Sequence, residues 1–153
     1  MTNGQLESYC EAEFENIEKV LSQLRAVVRD KKEFSVPDLA AIATFLYNAY
    51  NGMENILKRV LICEGEQIKN SPAWHKELLR TCVEKGVIAD DLYELLAGLL
   101  SFRHFFVHSY VFVLKWENLK SLVEDVFPAY DTFKSSIKRR IEKPGNPEAD
   151  SKQ

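Results

Sequence analysis

"GVIADDLYELLAGLLSFRHFFVHSY", residues 86–110, is the stretch on which the fold turns. Gly86-Val87-Ile88 makes a turn, and Asp90 or Asp91 supplies a helix cap. Leu92, Leu95, Leu96, Leu99, Phe102 and Phe106 then fall near one face at helical spacing. The pattern predicts an amphipathic helix running toward Phe106. Its C-terminal end is unusual, because "SFRHFFVHSY", residues 101–110, sets Arg103, His104, His108 and Tyr110 among large apolar residues. Burying an unpaired cation or imidazole is costly, so a bundle core gains little from such groups.

The flanking sequence is also helical in period. Leu6, Cys10, Phe14, Ile17, Leu21, Leu24 and Val28 recur at three or four residues and predict a first helix from about Leu6 to Lys31. "SVPD" opens a second, with Ser35 as cap and Pro37 in the first turn. Its stripe is Leu39, Ile42, Leu46, Tyr50, Met53, Leu57 and Val60, ending near "EGEQ", residues 64–67. A short third helix is expected from Ser71-Pro72, with Ser71 as cap, to a stop at Gly86. The last begins near Trp116-Glu117 and ends about Ile141, with the stripe Leu119, Leu122, Val126, Tyr130, Phe133 and Ile137. Pro128 should kink or break it. The one β-like run is "YVFVL", residues 110–114. Amphipathic helices joined by short loops predict an all-α, antiparallel bundle of four to five helices. One domain is expected over residues 1–142, followed by a disordered tail, "KPGNPEADSKQ", at 143–153.

Composition narrows the function. The chain has 153 residues, 46% apolar and 28% charged, with a net charge of −3. That balance argues against wholesale electrostatic binding to nucleic acid but allows a local basic site. The basic run "KSSIKRRIEK", residues 134–143, reads first as a solvated helix end and second as an RNA or partner surface. Cys10, Cys63 and Cys82 lack paired-motif spacing and read as reduced thiols in a reducing cytosol. The N-terminus lacks the pattern of a signal peptide, and no run of 18 apolar residues suggests a membrane span. His104 and His108 have the spacing of a helical metal pair, but no third ligand is evident, so no metal is expected. His75 reads as surface or packing, and Phe102, Phe105 and Phe106 as packing.

On an ideal helix His104 and His108 lie within about 40° of one another, on the side away from the apolar stripe, and Arg103 lies nearer the core edge. Arg103 and His108 are about 140° apart. One straight helix does not bring them together. Either the helix ends before His108, or a second copy of the chain supplies the partner group. Histidine can take or give a proton near neutral pH, and arginine presents a planar fork to phosphate. A base for the 2′-hydroxyl and a cation for the developing charge suffice for RNA cleavage without a metal. Tyr110 adds a hydroxyl that could touch phosphate or be modified.

The stretch resembles the signature of the HEPN superfamily, and specifically of HepT-type toxins. The signature is arginine, four residues, histidine, one residue, tyrosine, after a helix that follows a Gly-Val-Ile turn, and Arg103, His108 and Tyr110 match it. The resemblance implies a HEPN-like homodimer whose two motifs face each other across a cleft. It implies a metal-independent endoribonuclease in a prokaryotic cytoplasm, with catalytic Arg103 and His108. It implies a minimal nucleotidyltransferase (MNT) antitoxin as partner, in a type VII-like system, which transfers AMP from ATP to Tyr110. ATP would serve the partner, so no cofactor of the chain's own is expected. The substrate would be a tRNA or an mRNA, and no DNA or membrane partner is expected. Family members often carry Asn or Asp after the arginine, where this chain has His104, expected as an auxiliary group. The alternative is a non-catalytic substrate-binding or scaffold subunit of a nucleotidyltransferase. A third reading is a helical interaction protein whose polar cluster is structural.

Overall fold

The computed structural model describes residues 1–143. The expected tail at 143–153 lies outside them except for Lys143. Five helices cover most of the described chain: α1 (Asn3–Val28), α2 (Val36–Cys63), α3 (Trp74–Glu84), α4 (Asp90–His108) and α5 (Trp116–Glu142). No strand occurs among the described residues, and the β-like run at 110–114 is instead a 3-10 turn, Val111–Val113, with no neighbouring strand to pair with.

Contacts across the helices fix the topology. Arg59 of α2 lies over the Tyr9 ring of α1, and Gly52 of α2 meets Ile17 of α1, so α1 and α2 run antiparallel. Asn51 pairs with Arg103 and Tyr47 with Phe106, so α4 runs antiparallel to α2. Arg25 lies over Phe127, and Glu18 accepts a 2.6 Å hydrogen bond from the Tyr130 hydroxyl, so α5 returns along α1. The result is an up-and-down four-helix bundle with α3 laid against α2 and α4.

α2 is the central element. It packs against every other helix and against the 3-10 turn. Ile42, Leu46, Met53, Ile56, Leu57 and Leu61 are wholly buried, and each contributes roughly 1.5–3 kcal/mol of burial. Its start is set by a capping box in which Ser35 accepts from Asp38 N and Asp38 from Ser35 N, with a proline in the first turn. A side chain at Gly52 would put its Cβ 2.5 Å from Ile17 Cγ1, so glycine is what lets α1 close on α2.

The turn before α4 is built as its sequence suggested. Gly86 adopts φ +72°, Val87 N bonds Cys82 O at 2.8 Å and Gly86 N bonds Val83 O at 3.0 Å. This Schellman closure ends α3 and buries Val87 and Ile88.

Several expected boundaries need correction. α4 continues to His108, past Phe106, because its i→i−4 ladder is unbroken to that point. Neither Asp90 nor Asp91 is its cap. Ala89 holds the extended cap conformation, and both aspartates lie in the first turn, where they favour the helix dipole. Ser71 does not cap α3, which starts at Trp74, because its hydroxyl donates instead to Glu77 Oε2 at 3.4 Å. α1 starts at Asn3, behind a Thr2–Gln5 capping box, and ends at Val28 rather than Lys31. α5 runs through Pro128 without a break. Pro128 is exposed, so the carbonyl it leaves unbonded faces water, while Val126, Ala129 and Phe133 anchor both sides.

Candidate functional site

The three motif residues and His104 stand on the last two turns of α4 and just beyond. Arg103 is half-buried against α2. Its Nε–H donates to Asn51 Oδ1 at 2.8 Å, and its guanidinium carbon lies 5.4 Å from the Tyr47 ring centroid. No carboxylate pairs with it among the described residues. The charged head is therefore oriented by a neutral amide and an aromatic face, which leaves both Nη groups for an anion.

His104 and His108 are exposed one turn apart, ring centroids 4.9 Å from each other, edge to face. The structure brings these two together as their spacing predicted. It does not bring Arg103 and His108 together within one chain. α4 is helical to His108, so the two stay about 140° apart around its axis. The first of the two explanations, an early helix end, is excluded.

Tyr110 lies beyond the helix and is 74% exposed, its ring stacked on Phe112 at 5.3 Å. Phe105, Val107, Val111, Phe112 and Val113 are also exposed, so the end of α4 and the 3-10 turn carry an apolar patch beside the histidines. Phe105 was expected to pack. Here only Phe102 is buried, and Phe106 is partly so.

Sequence reasoning missed the support behind this face. His75 is not a lone surface ring. Its Nδ1–H donates to Glu54 Oε2 at 2.8 Å, and the Tyr50 hydroxyl donates to the same oxygen at 2.8 Å. Glu54 is only 5% exposed, the one buried charged residue among those described, and its two donors satisfy it. Burial first, and then the Glu54 carboxylate, push the Tyr50 phenol far above its ordinary range, while the Arg103 charge opposes them. The signal was Tyr47, Tyr50, Asn51 and Glu54, polar groups at helical spacing on one side of α2. Their partners lie 21 and 52 residues away, out of reach of any local pattern.

Among the described residues, no group of three His, Cys, Asp or Glu side chains is placed to hold a metal ion. No helix there is long and apolar enough to cross a membrane. Cys10 and Cys82 are buried free thiols, pushed up to about 11 and about 12, chiefly by burial.

An all-helical bundle with this polar cluster at the end of α4 has the form of a HEPN-type domain. The family model described as HepT-like protein matches residues 41–143, from within α2 through the whole of α5. The chain belongs to the HepT-like family. No curated protein and no solved structure matches it.

Proposed function

We propose that this protein is the toxin of a HepT/MNT-type toxin–antitoxin pair, a homodimeric endoribonuclease that needs no metal. The observation that carries this reading is Arg103, held at Nε by Asn51 with no carboxylate partner among the described residues, one residue from an exposed His104–His108 pair. Family membership supports it.

The reaction is an internal displacement. A neutral imidazole takes the proton of the RNA 2′-hydroxyl, and that oxygen attacks the adjacent phosphorus. The P–O5′ bond breaks, a proton passes to the leaving 5′-oxygen, and a 2′,3′-cyclic phosphate remains. His108 is the catalytic base or acid, Arg103 clamps the phosphate, and His104 is auxiliary. Because one helix keeps Arg103 and His108 apart, the working site pairs Arg103 of one chain with His108 of a second copy. The exposed apolar patch around Phe105, Val107 and Phe112 lies beside these residues and supports such a dimer face. The partner nucleotidyltransferase silences the toxin by transferring AMP to Tyr110.

Substitution tests the reading. Arg103→Ala and His108→Ala should each reduce cleavage by about 10²–10³-fold and relieve growth arrest. Retention of both effects in either variant sinks it. The alternative, a non-catalytic scaffold subunit, is favoured if the purified wild type binds its partner yet cuts no RNA between pH 6 and 8.

A further inference from the structure

Beside the motif, α3 and α4 enclose a groove of about 440 Å³. That is within the usual size of small-molecule sites, about 300–1,000 Å³. Its floor is apolar and buried, made by Leu79 and Leu100. Tyr93 forms one wall, and its hydroxyl has no hydrogen bond among the described residues. Lys76, His75, Arg103 and His104 are its charged or titratable lining, beside small residues and Ser101.

The charge of this lining is the telling feature. The whole chain carries more acids than bases, 23 against 20. Yet the groove has two permanent cations and two imidazoles and no carboxylate. Lys76 has no ion pair among the described residues. Glu54 lies behind His75 with its Oε2 already taken by two donors. Because Nδ1 of His75 is tied to Glu54, its Nε2 is the nitrogen left for a ligand. A second and larger groove, about 790 Å³ between α1 and Lys134 of α5, shows the contrast: Glu11, Glu15 and Glu18 line it with Lys19 and Lys134, so acids outnumber bases there.

Apolar floor, aromatic wall and cationic mouth together suit a phosphorylated ligand with a flat ring. We propose that this groove binds one nucleotide of a single RNA strand. The base lies against Tyr93 and Leu79, and its phosphate meets Lys76, Arg103 and His104. The groove ends at His104, one turn from His108. A strand seated in it therefore passes Arg103, which the reading above pairs with His108 of a second copy, and the groove holds the nucleotide next to the bond that is cut. The choice of RNA as the strand rests on the reading proposed above; the affinity for a nucleotide does not.

The test is binding of a short, fluorescein-labelled 2′-O-methyl RNA to the full chain, followed by anisotropy over a series of salt concentrations. The 2′-O-methyl groups block cleavage, so binding is read alone. Lys76→Ala should weaken binding about tenfold and lower the slope of log K against log salt by about 0.7. Tyr93→Leu should weaken it about tenfold at every salt concentration. Lys19→Ala, on the outer face of α1, should bind as the wild type does. Lys76 is exposed, so its variant folds even if the Tyr93 variant does not. If the wild type fails to bind, or Lys76→Ala binds as tightly as the wild type, the groove is not a nucleotide site. A wild type that binds through the groove but leaves ordinary RNA intact upholds the groove and overturns the nuclease.

Discussion

Arg103 donates its Nε–H to Asn51 Oδ1 across 2.8 Å, which ties the cation of α4 to the central helix through a neutral group. An amide orients a guanidinium without neutralising it; a carboxylate there would take up the charge that the proposed mechanism directs at phosphate. Asn51→Asp should therefore hold the fold at least as well as the wild type yet reduce RNA cleavage by about 10²-fold. Asn51→Ala should lose about tenfold, because the fork is left mobile rather than occupied. Thermal melts beside single-turnover rates check both, and a fully active Asn51→Asp would refute the role given to Arg103.

His104 and His108 are close and alike in exposure, but their assigned roles differ. His104→Asn, which keeps a polar side chain there, should cost less than tenfold in cleavage rate. His108→Asn should cost about 10²–10³-fold. Equal losses would mean that both imidazoles transfer protons.

Tyr110 presents an exposed hydroxyl with no hydrogen bond among the described residues. In the modification proposed, that oxygen attacks the α-phosphorus of ATP and pyrophosphate leaves. The AMP places bulk and negative charge beside the basic site, where an RNA phosphate would otherwise bind. Protein co-produced with the nucleotidyltransferase should gain one or more AMP units in intact mass, and Tyr110→Phe should gain none. A modified Tyr110→Phe would place the acceptor elsewhere.

Two buried phenols make the fold sensitive to alkali. Tyr50 and Tyr130 both have ionisations pushed well above the ordinary value, first by burial and then by Glu54 and Glu18 respectively. A phenol whose folded value is raised contributes stability that is complete below its unfolded value, near 10, and is lost as pH rises beyond it. The melting temperature should fall progressively as pH rises above about 10. Tyr130→Phe should cost about 1 kcal/mol at pH 7 and flatten that fall. An unchanged slope would mean that the Tyr130 phenol is not protected in the folded protein.

Much of the bundle was legible because helical period survives in a single sequence. The stripes of α2 and α5 are buried almost as read, from Leu39 to Val60 and from Leu119 to Ile137. The turn at Gly86 was also legible, since few residues other than glycine end a helix at φ +72°. Helix starts were less so. Ser71 could accept from a backbone N–H as a cap or donate to a carboxylate, and local sequence does not say that Glu77 wins. Of the site, the spacing gave the His104–His108 pair but not Asn51, Tyr47 or the Glu54–His75 contact. Those depend on which faces of α2, α3 and α4 meet, and that is decided by packing over the whole bundle.

Because α2 is walled in by the other helices, its amides open to solvent only when the bundle itself opens. Deuterium should enter that helix last, at a rate that reports the global unfolding equilibrium. The final turn of α4 and the 3-10 turn have water on most sides and should exchange long before it. The molecule thus pairs a rigid spine with a loosely held working edge. Arg103 is anchored to the first, and Tyr110 lies on the second, where the nucleotidyltransferase proposed above would reach it without unfolding anything else.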